Sequence, residues 1–392
     1  MANRFSNSPW WLKVTAIWLA TRVLTTSIML FAASLQGQSY WTSAQPGYFE
    51  FAAFWDSEWF ARIFDHGYPT ELPTNPDGSV RQNEWAFLPV FPGLVRLFDL
   101  ATGMGWKVLA PLLALLFSFI AALVIYRLFL RVLAPAVALW AVALVGLWLA
   151  SPVLQVGYAE SLGLVFLAGT LLRILDRKYL LALIPLALFT FTRPGSIAVA
   201  LLLVLIFVTR LRTEGESFVF TERIRLGVSA VSATVLGFAW VLVAWVATGR
   251  ADAYLATEMS WRTGYGTGSG FTPFTGWVAS FNYFFGNPVG WFALATLLVW
   301  LVWMFTWPSV RALGWLRLWA IAYLVYLFAV FFPQTSTWRI LLPSFVLAGA
   351  LAPRVAKLSR WAQLLIVVAA AALQFWWMLN CWNYTAPDFT PP

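Results

Sequence analysis

The sequence predicts an all-α polytopic membrane protein of about eleven spans, and three observations carry that prediction. The composition is 61% hydrophobic and 10% charged, with a mean hydropathy of +0.76. Soluble domains, by contrast, carry about a quarter of their residues as charges. Apolar runs of about 16–24 residues recur along the chain, a length suited to a hydrocarbon layer about 30 Å thick. Arg and Lys collect in the short segments between those runs, so the net charge of +9 reads as membrane orientation rather than as a nucleic-acid surface. A single cysteine, Cys381, and a single histidine, His66, leave no internal disulfide, no cysteine cluster and no two-histidine metal site.

The first apolar run, 15–33, follows Arg4 and Lys13. It is read as a retained span. The alternative is a signal peptide ending near Ala32-Ala33-Ser34, which the length of the run and Arg22 within it oppose. A long loop follows at 36–105, then spans near 107–126, 134–150, 159–173, 179–192, 195–210 and 225–248. A second large loop covers 249–287. Further spans lie near 288–307, 315–332, 339–352 and 361–380, all within one membrane domain covering 1–392. With the N-terminus inside, the inner segments hold sixteen of the 25 basic residues but only the acids Asp176, Glu214, Glu216 and Glu222. That asymmetry satisfies the positive-inside rule and turns both large loops away from the cytoplasm. The 25 Trp and 12 Tyr suit aromatic belts at the two interfaces. The glycine-rich run from Gly264 to Gly270 follows no strand and lacks a Gly-Lys-Ser/Thr ending, so it reads as a lid or linker rather than a phosphate loop.

Chemistry concentrates in the first outer loop. Read as one helix, 48–64 puts Phe51, Trp55, Trp59 and Arg62/Ile63 on a single stripe suited to the membrane surface. Glu58 and Arg62 are four apart, in the order that favours a surface ion pair. Asp56 has only Ala52, Ala53, Trp59 and Phe60 as helical neighbours, none able to neutralise it. It is then either a tuned general base or the cap of a helix beginning at Ser57. His66 either hydrogen-bonds in a site or sits in a turn beside Gly67. Tyr68, Glu84 and Trp85 either line a sugar pocket or belong to the interfacial belt. Glu160, Arg193 and Arg339 fall at outer ends of spans, where a charge pairs or serves a substrate. Arginine's planar fork suits phosphate oxygens, and Arg262 in the second loop has the same chemistry. Pairing of Glu160 with one of these arginines would account for them equally well.

Taken in order, Trp55-Asp56-Ser57, Ile63, Gly67-Tyr68 and Ala86-Phe87-Leu88-Pro89 with Pro92 resemble the first lumenal loop of the GPI mannosyltransferase II (PIG-V) family. Tyr158-Ala159-Glu160-Ser161-Leu162, Thr192-Arg193-Pro194 and Arg339-Ile340-Leu341-Leu342-Pro343 are similar to later elements of that family. Ala159 stands where the family has Ser or Thr, and Ile340 where it has Tyr. The resemblance implies a GT-C-type glycosyltransferase fold, a polyprenyl-phosphate sugar donor and an essential carboxylate in the first outer loop, here Asp56. Arg193, Arg339 and Arg262 would then bind the donor phosphate, and Trp55, Trp59, His66, Tyr68, Glu84 and Glu160 the substrates.

The expected reaction is inverting transfer, of mannose by resemblance, to a glycolipid or glycan acceptor in contact with membrane lipids. The expected setting is a bacterial plasma membrane, with the N-terminus cytoplasmic and the site extracytoplasmic. No cofactor is called for, no ligand cluster for a metal is evident, and nucleic acid is not a partner. The competing class is a transporter or flippase for a lipid-linked sugar. The absence of an evident inverted repeat and the carboxylate-bearing outer loop argue against it.

Overall fold

The computed structural model describes residues 8–265, 270–385 and 392. Glycines 266 and 268 of the glycine-rich run therefore lie outside the described residues. The fold is helical, and among the described residues the only β-type pairing is an isolated bridge between Thr74 and Val80. Among the described residues, five helices are long and apolar enough to cross a membrane: Trp10–Leu35, Trp106–Phe129, Ser196–Ser217, Phe220–Thr248 and Arg360–Trp382. Other expected spans fall on shorter apolar helices, such as Pro135–Gly146, Tyr179–Thr190, Val289–Met304 and Trp315–Val330. Glu160–Leu175 is likewise short, at 16 residues.

Two expected helices are broken. The run 339–352 is not one α-helix. It divides into Thr337–Ile340, a 3-10 stretch Leu342–Leu347 and Ala348–Val355. Pro343 has no N–H to extend an α-helical ladder, so the turn tightens there. Arg339 consequently sits on a short helical turn. The expected single helix 48–64 is also corrected. It divides into Tyr48–Phe51 and Asp56–His66, with Trp55 at φ +58° between them. The first helix ends with its C-cap at Ala52, and the left-handed Trp55 redirects the chain into the next, so Phe51 and Trp59 do not share a helical stripe. For a non-glycine residue this conformation costs roughly 1–2 kcal/mol and persists only where the surroundings enforce it.

The described residues form two compact units. One is built from the segments up to Glu58, Val95–Leu172 and from Thr335 onward; the other is built from Trp59–Leu94 and Arg173–Gln334. In the first unit the Trp10–Leu35 helix lies against Pro135–Gly146, close enough that a Cβ on Gly146 would meet Thr21 Oγ1 at 2.8 Å. Trp18 Nε1 donates to Ser118 Oγ (2.9 Å) and Thr25 Oγ1 to Gln374 Oε1 (2.9 Å), tying this span to two others. In the second unit Arg210 bridges three helices: Nη1 and Nη2 meet the Glu222 carboxylate at 2.6 and 2.7 Å, Nη2 meets Glu214 at 2.7 Å, and Nη1 donates to Tyr179 OH at 3.0 Å.

A close approach in the first unit yields a test of packing. Gly157 N–H donates to the Ala52 carbonyl at 2.9 Å, and a Cβ on Gly157 would stand 2.3 Å from Ser57 Oγ. That hydroxyl already accepts from Trp106 Nε1 at 2.9 Å, so it is not free to swing away. Gly157→Ala is expected to destabilise the protein by about 1–3 kcal/mol through overpacking. The check is the unfolding midpoint in detergent, followed by tryptophan fluorescence; an unchanged midpoint would show that this corner has slack.

Candidate active site

Asp56 is the first residue of the Asp56–His66 helix, and Glu160 is the first residue of Glu160–Leu175. The N-terminus of a helix carries partial positive charge, so both positions favour a carboxylate before any partner is counted. Arg339 joins them within the first unit. Its Nη2 donates to Asp56 Oδ2 at 2.5 Å, its Nη1 to Glu160 Oε1 at 2.9 Å, and its Nε to the main-chain oxygen of Pro392 at 2.5 Å. All three side chains are buried, with residue exposures of 7% for Asp56, 5% for Glu160 and 6% for Arg339. The expectation that Asp56 lacks a neutralising partner is therefore corrected: the partner comes from a distant segment rather than from Asp56's own helix. The helix also begins at Asp56, not at Ser57.

Tyr158 forms the floor of this cluster. The Asp56 main-chain N–H donates to Tyr158 OH at 3.0 Å, and the Arg339 guanidinium lies over the ring at 5.0 Å from its centroid. Burial, followed by the charge of Asp56, pushes the Tyr158 phenol well above its ordinary range, so it stays neutral. Burial by itself would discharge Arg339, but the Asp56 and Glu160 carboxylates outweigh that and raise its pKa above the ordinary value. The guanidinium is thus a fixed cation facing two carboxylates.

Trp55 is buried beside the cluster. Its Nε1 donates to the Trp382 carbonyl at 2.6 Å, and its ring contacts Trp41 and Tyr384 at centroid distances of 5.1 and 6.0 Å. Such packing explains how a strained backbone at Trp55 is held. Tyr158 lies in the Tyr158-Ala159-Glu160 motif, but its place in the cluster depends on a ring face that no spacing reveals.

The other candidates belong to the second unit. Trp59 stacks on Phe87 (6.0 Å, 9°) and meets Trp261 edge-on, while Arg62 lies 4.5 Å over the Trp59 ring. Tyr68 packs against Trp85 (4.7 Å) and Trp240 (5.0 Å), and its hydroxyl donates to the Phe87 carbonyl at 2.9 Å. Tyr68 and Trp85 are therefore joined to an apolar cluster with Leu88 and Trp240. Glu84 is half-buried in the short turn Glu84–Ala86. His66 is exposed at the end of its helix, before Gly67 at φ +74°, which is the turn position considered above.

Arg193 and Arg262 share the second unit with Glu258 and Tyr254. Burial, then the Glu258 charge, raises the Tyr254 phenol well above its ordinary range, with Arg193 opposing. Arg262 is lowered by burial, with Glu258 opposing, and its Nη2 donates to the Val330 carbonyl at 2.5 Å. It lines a cavity of about 410 Å³ together with Tyr265, Thr272, Thr275, Tyr283 and Phe332. Tyr254, Glu258 and Arg262 are spaced by four, a polar stripe visible in the sequence as i, i+4 spacing. Among the described residues, no three His, Cys, Asp or Glu side chains gather where one metal ion could sit.

No family model and no curated protein matches the chain. Among solved structures it is similar to the oligosaccharyltransferase of Archaeoglobus fulgidus tethered to an acceptor peptide containing an NVT sequon. That match has a TM-score of 0.51 and 13% identity, covering 95% of this chain and 56% of that one. The same archaeal enzyme with zinc and sulfate gives a TM-score of 0.49, 14% identity and coverage of 95% and 54%. In complex with an inhibitory peptide and a dolichol-phosphate it gives 0.48, 14%, and coverage of 96% and 56%. The chain spans about half the length of these structures. The first likeness is one of fold, the all-helical GT-C type.

Proposed function

We propose that this chain is a membrane glycosyltransferase that moves a sugar from a polyprenyl-phosphate carrier to a hydroxyl of a glycolipid or glycan acceptor at the outer face of the membrane. The observation that carries the reading is the buried Asp56–Arg339–Glu160 cluster, built at two helix N-termini. The GT-C fold supports it, and the PIG-V-like motifs favour β-linked mannose in the donor.

In this mechanism Asp56 is the general base. It takes the proton of the acceptor hydroxyl as that oxygen attacks the anomeric carbon. The bond from the anomeric carbon to the phosphate oxygen breaks on the opposite face, and the phosphate departs with the electron pair. The product has inverted, α configuration, and a single base suffices, unlike the paired carboxylates of glycosidases. Arg339 is the phosphate partner of choice, because it shares the first unit with Asp56. Its Nε already faces an oxygen acceptor, the Pro392 main chain, and a phosphoryl oxygen would make the same contact. A guanidinium held charged by fixed carboxylates stabilises the growing charge of the leaving phosphate without reorganising. Tyr158, kept neutral, orients the start of the Asp56 helix.

The test is incubation of the purified protein with radiolabelled polyprenyl-phosphate mannose and a membrane lipid extract. A new labelled lipid, absent with the Asp56→Asn variant, is the expected result. Labelled donor crossing sealed vesicles without transfer would instead identify a flippase.

A further inference from the structure

Arg22 lies within the Trp10–Leu35 span and is buried. Its Nη1 donates to the Ser151 carbonyl (3.0 Å) and Gln155 Oε1 (3.2 Å), and its Nη2 to the Gly146 carbonyl (3.0 Å) and Ser151 Oγ (3.2 Å). All four acceptors are neutral. A buried cation is costly even when paired, and apolar side chains of similar volume often serve stability as well or better. What the guanidinium offers is a rigid fork able to hold several acceptors of one turn at once.

The turn it holds is the 3-10 stretch Ser151–Gln155, which leads through Gly157 into Tyr158 and Glu160. Gln155 is wholly buried; its Nε2 donates to Thr26 Oγ1 at 2.8 Å, and its carbonyl accepts from Tyr48 OH at 3.0 Å. On the far side, Gly157 N–H donates to the Ala52 carbonyl (2.9 Å), just before Asp56, and Ser161 Oγ donates to the Leu154 carbonyl (2.8 Å), just after Glu160. A shift of this turn therefore moves Tyr158 and Glu160 together relative to the Asp56 helix.

We propose that Arg22 is a positioning residue for the Asp56–Arg339–Glu160 cluster, acting through Ser151 and Gln155; this rests on the glycosyl-transfer reading above. The transfer assay is run on the full chain with Arg22→Met, Arg22→Lys and Gln155→Leu, beside the parent and Asp56→Asn. Displacing a catalytic group by an ångström can cost about 100-fold, so Arg22→Met should lower kcat by roughly 30-fold. The donor KM and the unfolding midpoint should stay near parental values. Arg22→Lys should recover part of kcat, and Gln155→Leu should fall in the same direction. A parental kcat in Arg22→Met overturns the proposal, as does a rise in KM alone. If Arg22→Met does not fold, Tyr48→Phe removes one hydroxyl from the same turn and should still lower kcat severalfold; a parental kcat there overturns the proposal equally. Inactive Asp56→Asn beside fully active Arg22 variants sinks only the positioning role. Active Asp56→Asn removes Asp56 as the base, and no transfer by the parent sinks the reaction itself.

Discussion

Asp56→Asn should lose glycosyl transfer by about 1,000-fold while remaining folded, the scale expected when a general base is removed. The fold should survive because the substitution lowers the charge of the cluster without orphaning its cation. Glu160 still faces Arg339 at 2.9 Å, and an Asn side-chain oxygen can still accept from Nη2. Activity should not survive, because an amide oxygen cannot take the proton of the attacking hydroxyl. Glu160→Gln is the informative partner, since it removes the other carboxylate of a nearly symmetric pair. Asp56 as base predicts a smaller loss for Glu160→Gln, through looser seating of Arg339, with the donor KM affected more than for Asp56→Asn. The measurement is initial rate against donor concentration for both variants. If Glu160→Gln is dead and Asp56→Asn active, the two carboxylates exchange roles.

The membrane class and the fold type were legible because each rests on local composition or on short ordered motifs. Trp55-Asp56 and Tyr158-Ala159-Glu160 mark the two helix starts that the structure brings to Arg339. Pairing of Glu160 with an arginine was legible only as one possibility, and the Asp56–Arg339 pair was not legible, because those two residues are 283 positions apart and no spacing rule reaches that far. The break at Trp55 was illegible for a different reason. Tryptophan rarely takes a positive φ, and it does so here because its indole is fastened to the Trp382 carbonyl and packed against Trp41, contacts that exist only once the chain has folded. Tyr68 shows the converse: its motif position suggested a ligand, yet its ring lies between Trp85 and Trp240. An aromatic in an outer loop looks the same in sequence whether it stacks on a sugar or on another ring.

Arg339→Leu should be the most destabilising single change in the first unit, costing about 3–5 kcal/mol, because it leaves two buried carboxylates facing each other without their shared cation. Asp56 and Glu160 are 7% and 5% exposed, so solvent cannot take over the role of the guanidinium. The cost should show as a lowered unfolding midpoint in detergent. Arg339→Lys should recover only part of it, since one ammonium on a flexible stem cannot reproduce a fork that meets Asp56 through Nη2 and Glu160 through Nη1. The deciding variant is the double substitution Arg339→Leu with Glu160→Gln. If the loss arises from charge rather than from packing, removing one carboxylate should restore roughly 1–2 kcal/mol, a coupling within the range seen for side chains in one network. A double variant no more stable than Arg339→Leu alone would mean that the arginine's stem and its contact with the Tyr158 ring, rather than its charge, hold this corner together. Arg339 would then lose its standing as the fixed cation on which the leaving phosphate depends.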